Sequence, residues 1–107
     1  MEEGEVQLVV VAGTFDALRG HEAELGAVLA RYVVVSRTEE GCRNIDLVAS
    51  MLTPGRFVVY EKWESPDAQA THMTGETMAQ LVEGVSALLS GPPDLGLFLA
   101  VSAHDLL

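Results

Sequence analysis

The chain has 107 residues, of which 49% are hydrophobic, and its 16 acidic and 6 basic residues give a formal net charge of −10. The length fits one domain, and so acidic a surface repels phosphate backbones, which excludes nucleic acid as an expected partner. No apolar run approaches the roughly 20 residues of a membrane helix, and the acidic first residues differ from a basic signal peptide. We therefore expect a single domain over residues 1–107, cytoplasmic and without a membrane partner.

The first half of the chain predicts a strand, a helix and a second strand. Val6 to Thr14 is nearly continuous in apolar character, which indicates a strand buried on both faces. A turn over residues 15–20 leads into a helix from His21 to about Thr38, in which apolar residues recur at helical spacing. Gly41 is predicted to follow the helix end, and Cys42 to Met51 forms the second strand.

The second half predicts a hairpin, two helical pieces and a last strand. Leu52 to Gly55 is a turn with Pro and Gly in the order of a type II turn. Arg56 to Glu64 is the third strand, rich in β-branched and aromatic residues. Pro66 to Met73 and Glu76 to Leu89 are predicted helices, and Asp94 to Ala103 is the fourth strand.

This order of elements, β-α-β-β-α-β, predicts an α+β, ferredoxin-like fold, in which helices cover one face of an antiparallel sheet. The other face of the sheet would remain open in a monomer. Because the strands are apolar at most positions, an open face requires a partner. We therefore expect a homodimer in which the open sheet faces pack together with twofold symmetry.

The junction of the third strand and the following helix carries the side chains of greatest chemical interest. Side chains alternate along a strand, so Trp63 shares a face with Val59 and Glu61, whereas Tyr60 lies on the other face. His72 follows on the next helix, and we expect Trp63 and His72 to wall an apolar pocket. Trp63 is either a stacking wall or a core residue. His72 is either a general acid or base or a hydrogen-bonded helix residue.

Two further polar residues are candidate hydrogen-bond donors to a substrate. Asn44 is either a specific donor or a solvent-facing residue of the second strand, Tyr60 is either a donor or an interface group, and Glu61 is a candidate interface group. Cys42, the one cysteine, fits a buried small hydrophobe better than a nucleophile. His104 lies in a tail segment better explained by solvation than by metal binding, and no metal-ligand motif occurs.

The motifs of this region resemble those of the antibiotic biosynthesis monooxygenase family. The resemblance covers about residues 5 to 103, and it is carried by Gly41-Cys42, Asp46-Leu47, the hairpin segment Pro54 to Ser65, and Ala70-Thr71-His72-Met73. The resemblance implies a dimeric α+β barrel with a pocket between sheet and helices in each subunit. Members include cofactor-independent oxygenases of polycyclic aromatic polyketides, haem-degrading enzymes and isomerases of small signalling sugars.

The chain departs from the patterns of two branches. The anthrone-oxidising branch has Asn and Tyr where this chain has Val59 and Gln69. The haem-degrading branch has a His ligand where this chain has Val82, and a pocket Trp where it has His72. Many members carry a second His at the position of Thr77. The resemblance therefore gives no expectation of haem.

The resulting hypothesis is a cofactor-independent monooxygenase or oxidase of a flat, apolar phenolic or quinone-like metabolite. In this hypothesis His72 is the base, Trp63 the stacking wall, and Tyr60 or Asn44 the hydrogen-bond donor. A non-catalytic ligand-binding or accessory protein of the same fold is the alternative from another class, favoured by Val59, Gln69 and Thr77. An isomerase of a small phosphorylated metabolite is the third, and the net charge of −10 weighs against it.

Overall fold

The computed structural model describes residues 7–102, which form four strands and three helices. In chain order these are β1 (Val9–Asp16), α1 (Glu22–Ser36), β2 (Cys42–Ala49), β3 (Arg56–Trp63), α2 (Pro66–Met73), α3 (Glu76–Val85) and β4 (Asp94–Leu99). The strands form one sheet in the order β2-β3-β1-β4, and every neighbouring pair is antiparallel. This confirms the predicted ferredoxin-like α+β fold. No helix among the described residues is long and apolar enough to cross a membrane.

The helices begin where the local chemistry favours them and bury one face each. At the start of α2, the Ser65 hydroxyl accepts a hydrogen bond from the Ala68 backbone N–H at 3.1 Å, and Pro66 occupies the first turn. Along α1, Leu25, Leu29 and Tyr32 recur at helical spacing and are buried. These side chains pack with β1 and β3 in one core cluster, which places the hydrophobic core between the sheet and the helices.

Strand β3 alternates as predicted between the covered and the open face of the sheet. Val59, Glu61 and Trp63 are buried on the helix side, whereas Tyr60 is exposed on the opposite side. The hairpin turn before β3 is also confirmed, since the Arg56 N–H bonds to the Thr53 carbonyl at 3.2 Å and Gly55 has a positive φ of 83°.

Several predicted boundaries are wrong, and the largest differences lie at one end of the sheet. Strand β1 continues to Asp16, because Phe15 and Asp16 pair with residues of β3 instead of forming a turn. Helix α3 ends at Val85, four positions earlier than predicted, because the next segment binds the β1–α1 loop. There the Leu88 carbonyl accepts a hydrogen bond from the Leu18 N–H at 2.7 Å, and Leu89 forms an isolated antiparallel β-bridge with Ala17.

The remaining boundaries differ by shorter stretches. Helix α1 covers Glu22–Ser36 instead of His21 to Thr38, and β2 ends at Ala49 instead of Met51. Strand β4 ends at Leu99, and the predicted last residue of that strand, Ala103, lies outside the described residues.

Candidate functional site

The indole of Trp63 lies at the end of β3 beneath α2, completely removed from solvent. Its N–H donates a hydrogen bond to Oε1 of Glu61 at 2.9 Å. The two residues share a strand face, so this contact follows from the alternation of β3. Trp63 therefore combines a core position with a polar contact to a buried carboxyl group.

His72 stacks on this indole from the last turn of α2. The two ring centroids are 4.4 Å apart and the planes are inclined by 28°. His72 as a whole residue is 2% exposed, and both of its ring nitrogens have partners: Nε2 lies 2.7 Å from the Tyr32 hydroxyl and Nδ1 lies 2.8 Å from Oε1 of Glu39. The predicted proximity of Trp63 and His72 is present, and the histidine is hydrogen-bonded on both sides.

Tyr32 connects His72 to Glu61 at the centre of the site. Its hydroxyl contacts Nε2 of His72 and donates a hydrogen bond to Oε2 of Glu61. Burial raises the pKa of the Tyr32 phenol far above its usual value, and the nearby Glu61 carboxylate raises it further. The phenol therefore stays protonated, and it can accept one hydrogen bond while it donates another.

Glu39 reaches His72 from the loop between α1 and β2, and the geometry of that loop depends on Gly41. Gly41 has a positive φ of 87°, and its carbonyl accepts a hydrogen bond from the Glu64 N–H at 2.8 Å. A Cβ at this position would lie 2.5 Å from the Ala68 Cβ, so only glycine fits. The loop is thereby held against the start of α2, beside His72.

Two openings lie on opposite sides of this network, defined here as Glu39, His72, Tyr32 and Glu61. The first is an apolar pocket of about 360 Å³ between the sheet and α3, with walls that include Val11, Phe15, Val59, Met78, Leu81 and Val85. Among the described lining residues, Tyr32 and Glu61 are those with ionisable side chains. A volume of this size is typical of small-molecule sites.

The second opening is an acidic groove on the protein surface, lined by Glu39, Glu40, Glu64, Asp67 and the edge of His72. Glu39 therefore belongs to the network and also lines the solvent-facing groove. The network spans the protein from the groove to the apolar pocket.

The structure places the four predicted site residues in two separate regions. Trp63 and His72 lie together on the helix side, but neither is among the residues that line the apolar pocket, contrary to the expectation that they would wall it. Tyr60 and Asn44 lie on the open sheet face, where the Asn44 amide donates to Oδ2 of Asp46 at 2.9 Å. They are therefore not brought together with His72 within one chain.

The sequence did not reveal the roles of Tyr32 and Glu39, and it left Glu61 as a candidate interface group although alternation placed it on the face of Trp63. Tyr32 occurs at the same helical spacing as Leu25 and Leu29, so it was indistinguishable from an apolar core residue. Glu61 carried a usable signal: an acidic residue between two inward-facing positions of a strand is a buried carboxylate.

The other candidate residues stay outside this site. The Cys42 side chain is half-buried against the core, and burial raises the pKa of its thiol, as do the Glu61 and Glu39 carboxylates, which favours the unreactive thiol. His21 pairs with Glu24 at 2.9 Å on the surface. His104 lies outside the described residues, and no group of metal-ligating side chains occurs within residues 7–102.

Comparison with known proteins gives consistent relatives. Among solved structures, Rv0793 of Mycobacterium tuberculosis is 24% identical, with a TM-score of 0.85 over 92% of this chain and 99% of that one. A candidate antibiotic biosynthesis monooxygenase of Deinococcus radiodurans is 24% identical, with a TM-score of 0.84 over 92% of this chain and 98% of that one. NE2512 of Nitrosomonas europaea, a protein of unknown function, is 23% identical, with a TM-score of 0.83 over 94% of this chain and 96% of that one. These likenesses show the shared fold.

No functionally curated protein matches the chain significantly. The family model for antibiotic biosynthesis monooxygenases, in contrast, matches residues 8–84. That span contains β1 to α2, α3 as far as Gly84, and every residue of the buried network. The chain therefore belongs to the antibiotic biosynthesis monooxygenase family.

Proposed function

We propose that the protein binds a flat, apolar phenolic or quinone-like metabolite in the pocket and oxidises it with O2 without a bound cofactor. The observation that carries the proposal is a buried carboxyl group, Glu61, in the wall of an otherwise apolar pocket. A carboxylate in such a place is suited to remove a proton from an apolar substrate, because the low dielectric strengthens its interaction with that proton.

In the proposed reaction Glu61 removes a proton from an activated CH2 group of the substrate. The resulting electron-rich anion transfers electrons to O2, and a C–O bond forms to give a peroxide, which takes a proton back. Loss of water from this carbon then leaves a carbonyl group, so that CH2 and O2 become C=O and H2O. His72, our predicted base, lies behind Tyr32 and acts on Glu61 through that hydroxyl.

The direct test is oxygen consumption with anthrone as substrate. We expect Glu61→Gln to lower the rate by about 10²–10⁴-fold, the usual contribution of a general base. The matched control is Glu83→Gln, which makes the same change at an exposed carboxylate of α3, outside the network and the acidic groove. Equal rates in wild type and Glu61→Gln would remove Glu61 from the reaction.

A non-catalytic ligand-binding or accessory role is the second candidate, and one observation favours it. Val59, at the position where the anthrone-oxidising branch carries an Asn donor, lines the pocket with an apolar side chain. Under this alternative, anthrones bind the wild-type protein in calorimetry without consuming oxygen. A phosphorylated substrate is disfavoured, since the lining residues described for the pocket include no Lys or Arg.

We also propose that the open sheet face is a homodimer interface. Val48, Tyr60 and Phe98 on this face are 52%, 39% and 56% exposed in the single chain. Exposed apolar side chains of this extent on one sheet face favour a self-complementary partner.

A further inference from the structure

We propose that Tyr32 and His72 are positioning residues of a proton relay, in which a proton moves between Glu61 and His72 through the Tyr32 hydroxyl, with Glu39 balancing the charge of His72. The proposal rests on the proposed function, because it describes how the pocket base Glu61 is charged and discharged. It adds three residues, Glu39, His72 and Tyr32, that do not need to touch the substrate.

The four groups of the network can share the same number of protons in two ways. Three contacts join the four groups in a row: Glu39 to His72, His72 to Tyr32, and Tyr32 to Glu61. With Glu39 ionised, three protons satisfy all three contacts in two ways. Either His72 is protonated on both nitrogens and Glu61 is a carboxylate, or His72 is neutral with a proton on Nδ1 and Glu61 is a carboxylic acid.

The two arrangements have the same net charge and differ by two short proton movements. Glu61 gives its proton to the Tyr32 oxygen as Tyr32 gives its own proton to Nε2 of His72, and the reverse movement restores the acid. One O–H bond and one N–H bond form while two O–H bonds break. No proton has to enter or leave the protein, and the phenol ends as it began.

The surrounding groups stabilise the charged arrangement, but the neutral arrangement remains close to it in free energy. The Trp63 N–H donates to Glu61 while its ring faces His72 at 4.4 Å, and these contacts stabilise a carboxylate and an imidazolium respectively. Glu39 supplies a second negative charge at Nδ1, and Nε2 lies 3.8 Å from Oε1 of Glu61. Burial of both charges opposes this arrangement, which keeps the neutral one accessible.

The relay also has an outlet. The side chain of Glu39 is 27% exposed, whereas that of His72 is 1% exposed. Glu39 lines the acidic groove with Glu40, Glu64 and Asp67, whose negative charges favour a proton at this edge. The protonation of a pocket carboxylate is thereby connected to solvent on the far side of the site.

The test uses 4-nitrophenol, a flat phenol that absorbs visible light only as its anion, at a pH where it is ionised. A bound anion beside Glu61 should draw the proton from His72 through Tyr32 onto Glu61. In histidine ring-nitrogen NMR of the wild type, we expect His72 to change from doubly protonated to the neutral Nδ1–H form on binding. Signals are assigned by their loss in His72→Gln.

Two pairs of variants isolate the path. Tyr32→Phe should bind the probe but lose the His72 response, whereas Tyr60→Phe, the same change at the other tyrosine of the chain, should keep it. Without probe, Glu61→Gln should lose the doubly protonated His72 signals at neutral pH, and Glu83→Gln, the same change at an exposed residue of α3, should retain them.

The outcomes separate the relay from the proposed function. Binding of the probe with an unchanged His72, or an equal response in Tyr32→Phe, overturns the relay and leaves the proposed function standing. Failure of the probe to bind counts against the proposed phenolic ligand, and the ligand-free spectra of Glu61→Gln and Glu83→Gln then decide the relay. Identical His72 signals in those two variants would refute it.

Discussion

Strand β3 presents two chemically different surfaces, although its side chains alternate along one short segment. On the helix side, Trp63 and Glu61 are buried, the Trp63 N–H donates a hydrogen bond to Glu61, and Glu61 also accepts one from Tyr32 of α1. On the opposite side, Tyr60 is half-exposed and has neighbours from β1 and β2. The comparison shows that a tyrosine, a glutamate and a tryptophan acquire a chemical role from the layer they face.

The two faces of the sheet are suited to different roles, although the residues that serve them alternate along the same strand. The covered face holds a polar network inside an apolar core, and in that network the Tyr32 hydroxyl and both nitrogens of His72 have hydrogen-bond partners. The open face carries apolar and polar side chains that are suited to pack against another subunit. Substitutions on the two faces should therefore affect different measurements.

The largest expected effect on stability is that of Trp63→Ala. Removing a fully buried indole leaves a cavity and frees the Glu61 carboxyl group from its donor. We expect the free energy of unfolding to fall by about 3–5 kcal/mol, measured by urea denaturation. The control is Tyr60→Ala, measured where it has the same oligomeric state as the wild type. A similar loss of unfolding free energy in this variant would show that the two faces of β3 do not differ in their contribution to stability.

Val58→Asp should break the proposed dimer and leave the site intact. Val58 and Tyr60 point to the same, open face of β3. In the proposed dimer the variant would therefore bury an unpaired carboxylate between the subunits. An uncompensated cost of about 3 kcal/mol corresponds to roughly 100-fold weaker association in sedimentation. Ala30→Asp, on the exposed side of α1, should leave the dimer unchanged. A monomeric wild type would contradict the expectation.

Tyr32→Phe should destabilise the protein where Tyr60→Phe does not. The first change leaves Nε2 of His72 and Oε2 of Glu61 buried without their shared partner. We expect a loss of about 1–3 kcal/mol for Tyr32→Phe and a change within about 0.5 kcal/mol for Tyr60→Phe. Thermal and urea unfolding of the two variants provide the comparison, and equal values would show that the network does not stabilise the fold.

The smallest effect concerns an exposed ion pair at the edge of the open face. Arg56 donates to both oxygens of Asp16 at 2.7 and 3.0 Å, and these hydrogen bonds hold the pKa of the Asp16 carboxyl below its usual value. The stability from this pair is present above the pKa of an unfolded aspartate and is lost as the pH falls through the lowered pKa. In Arg56→Gln the urea midpoint should be slightly less sensitive to acid across this range, and an unchanged acid dependence would assign it to other carboxylates.

The sequence predicted the sheet and the two faces of β3 well, because alternation and turn chemistry are local properties. It also placed Trp63 and His72 together, since the capping signal at Ser65 fixes α2 immediately after β3. The network was not predictable in the same way. Glu39 and Tyr32 meet His72 only through the packing of a loop and a helix that are distant from it in sequence.

The pocket lies between the sheet and a helix as expected, but two of its predicted wall residues were wrong for a related reason. Its walls depend on where α3 ends and on how the following segment binds the β1–α1 loop, and the predicted helix extended past that point. Trp63 and His72 were expected in the wall because they are large and close together. Tertiary packing instead places them behind Tyr32 and Glu61, which reach the pocket.

The stacking of His72 on Trp63 has a practical consequence for studying the protein. Trp63 is the one tryptophan in the chain, so the intrinsic fluorescence of the folded protein reports on a single indole. A protonated imidazole in contact with an indole quenches its emission by accepting charge from the excited ring. The intensity of the intrinsic Trp63 fluorescence should therefore change with the charge of His72, so that this charge can be followed without an added label.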